Sequence, residues 1–128
     1  MTMNYLGIIL GVALNIVLAR FWFGVLFRDL WRSLTKRTDT EKPDRLQIVV
    51  SLLFALMLSL GVNTLVSLFA INTLAWGLFA GLVLGVLFIA PIVLGEWIWD
   101  KKNFELVALN TGFYIVYLIL TFFIFILV

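Results

Sequence analysis

Arg20 and Glu96 are ionisable side chains standing near the ends of stretches that are otherwise apolar. A charge at the centre of a bilayer costs about 2.5–3.5 kcal/mol on insertion scales, so such a residue is either drawn to an interface or kept for a task. Asn110 and Tyr114, four residues apart, fall at a similar distance from a charged loop. Together the four would give a guanidinium, a carboxylate, an amide and a phenol at one depth, a candidate polar pocket for a small solute. The plainer reading is that Arg20 snorkels to lipid phosphates beside Phe21, Trp22 and Phe23 while Glu96 rests at headgroup level, or that the two simply pair.

Much other chemistry is excluded by composition. With no Cys and no His, the chain has no disulfide, no thiolate or imidazole metal site and no haem held by His. No hydroxyl or amine stands beside an evident general base, so no enzyme activity, metal or cofactor is expected. The acidic residues lie at or beyond the ends of the apolar stretches, which leaves proton coupling through a mid-membrane carboxylate without a candidate. Net charge is only +2 and most of the basic residues sit in one short loop, so nucleic acid is not an expected partner.

The elements that must position these residues follow from hydropathy. The chain has 128 residues, is 64% hydrophobic and 12% charged, and has a mean hydropathy of +1.17. Soluble domains are about 45–50% apolar and about 25% charged. Four apolar stretches, at about 3–23, 46–70, 73–95 and 106–128, each reach the ~20 residues needed to cross roughly 30 Å of hydrocarbon. They predict an all-α integral membrane four-helix bundle forming one domain over 1–128. The first stretch has no preceding Lys or Arg and no clear small-residue cleavage site, and is expected to be a retained span rather than a signal peptide.

Six of the nine Lys and Arg residues (Arg28, Arg32, Lys36, Arg37, Lys42, Arg45) lie between the first two stretches, and Lys101 and Lys102 lie between the last two. The opposite ends carry none. The positive-inside rule then places the loops at about 28–45 and 96–105 in the cytoplasm and both termini outside, as in a bacterial inner membrane. Within the first loop, Arg28, Arg32 and Lys36 recur on one helical side and Phe27, Leu30, Trp31 and Leu34 on the other. That spacing predicts a short amphipathic interfacial helix, with Gly24 as the bend before it and Pro43 near the start of the next span. Trp22, Trp31, Trp97 and Trp99 mark the inner interface and Trp76 the outer one, and Pro91 predicts a kink in the third span.

Small residues recur at every fourth position in three spans: Gly7, Gly11, Asn15 and Ala19; Ser51, Ala55, Ser59, Asn63 and Ser67; Gly77, Gly81 and Gly85. Such stripes let helices approach closely, within one chain or between chains. In the fourth span, Asn110, Tyr114, Tyr117 and Thr121 share a face that should point into the bundle.

Two segments, Leu18 to Trp31 and Gly95 to Val116, resemble a bacterial family of small four-span membrane proteins known as domain of unknown function 1761. The run Trp22, Phe23, Gly24, Val25, Leu26, Phe27 is similar to the family's aromatic-Tyr-Gly-Pro-Leu-Phe run, with Val25 in place of proline. Gly95, Asp100, Asn110, Gly112, Phe113 and Tyr114 match the second segment, while Glu96 stands where the resemblance implies Asn. The resemblance implies the fold and the membrane location and carries no activity with it. The residues lead to a non-enzymatic membrane protein acting through helix contacts, as a homo-oligomer or as an accessory subunit beside a membrane-protein partner in the lipid bilayer. The alternative is a small-solute transporter or channel with a polar pocket open to the cytoplasm.

Overall fold

The side chain of Asn4 accepts the Gly7 amide at 2.9 Å, satisfying one of the donors that every helix start leaves open. From there α1 runs Tyr5–Phe21 and continues as a π-helical segment, Trp22–Leu26, closed by the Phe27 amide donating to the Trp22 carbonyl at 2.9 Å. Phe27 leaves helical geometry (φ −117°, ψ 27°) and α2, Arg28–Thr35, follows. The break expected at Gly24 therefore falls at Phe27. No glycine here has positive φ, so it is the widened turn, not a left-handed glycine, that precedes the break. The structure is a computed structural model and describes residues 4–35, 45–101 and 103–128; Lys36, Pro43 and the polar turn around them lie outside the described residues.

The second span is α3, Arg45–Phe69. It ends at Ala70 in the left-handed region (φ 51°), and the Ile71 amide reaches back to the Val66 carbonyl at 3.2 Å. This six-to-one closure satisfies an orphan carbonyl and tucks the apolar residue after the turn into the core, where Ile71 is buried. Thr73 then caps α4, Leu74–Val83, by accepting the Trp76 amide at 3.2 Å. The third span continues through a second π segment, Leu84–Ile89, into α5, Ala90–Trp99. Pro91 has no amide to give to the Leu87 carbonyl one turn earlier. The expected distortion takes the form of a widened turn immediately before the proline. Because α5 runs to Trp99, Glu96 is a helical residue rather than a loop residue. Asn103 caps α6, Phe104–Leu127, through the Glu105 amide at 2.8 Å.

Four helical stretches among the described residues, Tyr5–Leu26, Arg45–Phe69, Leu74–Trp99 and Phe104–Leu127, are long and apolar enough to cross a membrane. The chain is an all-α integral membrane four-helix bundle. Its centre is α6, which packs against α1, against α3 and against the third span. Most of the large exposed side chains are apolar, including Ile9, Val17, Met57, Leu87 and Ile98, as helices surrounded by lipid require.

The glycine stripes are used in this packing. A Cβ added at Gly81 would lie 2.6 Å from Ile119 Cγ1 and 2.8 Å from Ile119 Cα, and one at Gly85 would lie 3.2 Å from Ile115 Cα. The third span is thus laid directly on the backbone of α6. On the first span, Gly7 faces the Phe125 ring and Gly11 faces the Ser59 side chain. All five stripe glycines are buried within the single chain.

Candidate functional site

The end of the bundle holding the termini is closed by a polar seam. Ser59 Oγ donates to the Ile8 carbonyl at 3.0 Å and the Tyr117 hydroxyl donates to the Gly11 carbonyl at 3.0 Å. The Asn4 amide donates to Asn63 Oδ1 at 3.1 Å, and Asn15 lies against the Tyr117 hydroxyl. Thr121 turns its hydroxyl back onto its own helix, donating to the Tyr117 carbonyl at 2.7 Å. Ser59, Tyr117, Thr121 and Phe122 have no exposed surface at all, and among the described residues no buried side-chain polar atom lacks a partner.

Toward the other end the first and third stripes run out. Continuing the first in steps of four passes Ala19 and meets Phe23; continuing the third passes Gly85 and meets Ile89 and Val93. Bulky residues occupy those positions, and a cavity of about 660 Å³ opens there. Its walls come from all four spans and from α2. Ser51 contributes from α3, Glu96 with Ile89, Ile92 and Val93 from the third span, and Asn110, Phe113 and Tyr114 from α6; Phe23 and Trp31 close the remaining side. The Phe23 ring lies 5.8 Å from Trp31 and 5.3 Å from Phe113, and Phe113 stacks on Tyr117 at 6.2 Å. An aromatic row therefore runs from the interfacial helix, along the cavity wall, to the closed seam. Trp22 fixes its position by donating Nε1–H to the Leu109 carbonyl at 3.1 Å.

Three of the four expected pocket residues, Glu96, Asn110 and Tyr114, meet in this cavity, and Tyr114 is within electrostatic reach of Glu96. Arg20 does not line it and is exposed on the first span. The reason is angular. At 3.6 residues per turn, nine residues are about two and a half turns, so Arg20 points half a turn away from Gly11, which faces the bundle. The helix-packing residues Gly7, Gly11, Asn15, Ser59, Asn63, Gly77, Gly81 and Gly85 occupy the closed seams and stand apart from the cavity. Phe23, Trp31, Ser51 and Phe113 were not foreseen as lining residues. For Phe23 the signal available is the replacement of a small residue by a large one at the next fourth position of the first stripe.

Chemically, the cavity presents one carboxylate, an amide and the hydroxyl-bearing Ser51 and Tyr114 beside a largely aromatic and aliphatic wall, and among the described residues no group of three metal-ligating side chains gathers anywhere. No curated protein and no solved structure matches the chain. The family model described as a protein of unknown function, DUF1761, matches residues 6–126, nearly the whole length, and the chain belongs to that family.

Proposed function

We propose that the protein is a non-catalytic membrane carrier or receptor that binds a small solute in the cavity between its four spans. The observation that carries this reading is the cavity itself, which joins Glu96, Asn110 and Tyr114 across two helices at one end of a bundle whose other end is packed shut. Its volume of about 660 Å³ lies within the ~300–1,000 Å³ common for small-molecule sites. The fully buried layer of Tyr117, Phe122 and Val62 stands against an open channel and favours a site reached from one side. The positive-inside rule makes that side the cytoplasmic face of a bacterial inner membrane, with both termini outside. Reporter fusions at the C-terminus test the orientation: alkaline phosphatase should be active there and a green fluorescent protein dark.

The homo-oligomer and accessory-subunit readings draw on the small-residue stripes, the short outer loops and the lack of catalytic groups; of these, the buried glycines of the stripes are taken up by contacts within one chain. Purification in mild detergent, with mass determination and a thermal-stability screen against classes of small solute, discriminates the readings. A ligand at about a hundred times its Kd adds roughly 2.7 kcal/mol of stability, and Asn110→Leu should abolish that gain. A stoichiometric foreign membrane protein, with no solute stabilising the chain, would replace this proposal with the accessory role.

A further inference from the structure

We infer that the cavity holds a lipid of the leaflet beside the charged loops, which enters sideways between α3 and the third span and places one hydrocarbon chain inside. This rests on the binding reading above and adds the class of the ligand and its route. α3 packs on α1 and α6, and the third span packs on α6. Among the described residues these two spans, joined by the turn at 70–73, do not pack on each other to a comparable extent. Away from that turn they form two sides of the cavity, with Ser51 on α3 and Ile89, Ile92 and Val93 on the third span. Of the lining residues only Ser51 and Ile92 are exposed, one on each side, so the cavity opens through the gap between the two spans. The side toward α2 is walled by Phe23 and Trp31, whose rings lie 5.8 Å apart.

Depth decides what stands at that opening. At about 1.5 Å per residue, Ser51 lies roughly 9 Å along α3 from Arg45, and Ile92 roughly 12 Å along α5 from Asp100. Both distances exceed the roughly 5–8 Å of a headgroup layer. The exposed residues near them on the same helices, Ile48, Leu52 and Phe88, are apolar, so the gap faces acyl chains rather than water. The inner wall meanwhile carries hydrogen-bonding groups that the chain leaves open. Tyr117 and Ser59 spend their hydroxyls on carbonyls of α1, whereas among the described residues no hydrogen bond engages the Asn110 amide or the Tyr114 hydroxyl. The esters and hydroxyls of a lipid head supply partners for both, whatever net charge the head carries. Ile89, Ile92, Val93 and the Phe113 ring then receive the chain. A volume of about 660 Å³ is that of one small ligand, which suits a single chain with its polar end.

The test uses the full chain in uncharged maltoside micelles carrying a rising mole fraction of phosphatidylcholine with a diazirine midway along one chain, photolysed and mapped by mass spectrometry. Phe113 is a buried residue of the cavity wall and Met57 an exposed residue of α3 outside it. Adducts on the first report a chain inside, and adducts on the second report the surrounding micelle. Saturable labelling of Phe113 is expected, while labelling of Met57 rises in proportion to the probe. Asn110→Leu combined with Tyr114→Phe should raise the half-saturating mole fraction about fivefold to tenfold, as the loss of two membrane hydrogen bonds of average strength implies. Ser51→Trp or Ile92→Trp, at the two sides of the opening, should remove the Phe113 adduct and leave the Met57 adduct as it was, with an unchanged unfolding midpoint showing that the bundle is intact. A double variant that saturates as before overturns the placement of the head. Phe113 labelling that is absent, or that survives both tryptophans in an intact bundle, overturns the lateral lipid assignment. The stability screen with small solutes then decides the binding reading: a water-borne solute that stabilises the chain keeps it, and no stabilising solute overturns both.

Discussion

The two ends of this bundle use the same residue types to opposite effect. Ser59, Asn63 and Tyr117 make a seam without exposed hydroxyls, whereas Ser51, Asn110 and Tyr114, one to three helical turns away, line a void. Nothing in the polar side chains themselves accounts for the difference. What differs is how close the backbones come. Glycine at 11, 81 and 85 lets α1 and the third span touch α3 and α6, whereas phenylalanine, isoleucine and valine stand at 23, 89 and 93, where the cavity lies. In a membrane, where lipid is as apolar as leucine and helices associate through packing, backbone approach decides whether a polar residue becomes a structural bond or part of a site.

The comparison breaks most visibly at Gly81. A methyl there meets the Ile119 backbone at 2.8 Å, which a rotamer change cannot relieve, so Gly81→Ala should destabilise the protein by about 1–3 kcal/mol, as overpacking does. Gly61 and Gly95 have nothing within 4 Å of an added Cβ. Alanine at either should be neutral or stabilising by up to roughly 0.5–1 kcal/mol. Thermal unfolding of the three variants in one detergent measures the contrast. Equal effects at 81 and 61 would mean that the third span is not seated on α6.

Next in size is the pair of tyrosines. Tyr117→Phe removes a buried bond to the Gly11 carbonyl, and interhelical hydrogen bonds in membranes average about 0.6 kcal/mol with a maximum near 1.7. Tyr114→Phe removes a hydroxyl from the cavity lining and should leave stability nearly unchanged while weakening ligand binding. A reversed pattern, with Tyr114 the structural residue, would dissolve the distinction between the two ends.

How much of this could be read beforehand depends on which coordinate of the helix is asked for. Length and hydropathy fixed the spans, because crossing hydrocarbon demands about 20 apolar residues whatever the packing. Depth is equally readable: Glu96, Asn110 and Tyr114 share a distance from the charged loops, and they meet in the cavity. Direction is a separate coordinate. Arg20 shares their approximate depth, but its azimuth relative to Gly11 turns it outward, and that relation was present in the numbering of the first span. The π segments were beyond reach for another reason. Gly24 and Pro91 announce that something must yield, yet whether a helix yields by bending or by admitting one extra residue per turn depends on the tertiary contacts of Trp22 with Leu109 and of Gly85 with Ile115.

The smallest effect tests cause rather than correlation. If Ile89 and Val93 keep the third span away from α6, then Ile89→Ala with Val93→Ala extends the small-residue stripe toward Trp99 and lets the gap narrow. Helix axes lie about 8–10 Å apart according to the side chains between them, so a change of roughly 1–2 Å is expected. The chain contains no cysteine, which allows spin labels at Ile98→Cys on the third span and Ala108→Cys on α6, both exposed and outside the cavity lining. Double electron–electron resonance should show the label distance shortening, together with weaker solute binding. An unchanged distance would shift responsibility for the cavity to the opposite wall, where Phe23 is wedged between Trp31 and Phe113, and the corresponding variant, Phe23→Ala, would then be the one to close it.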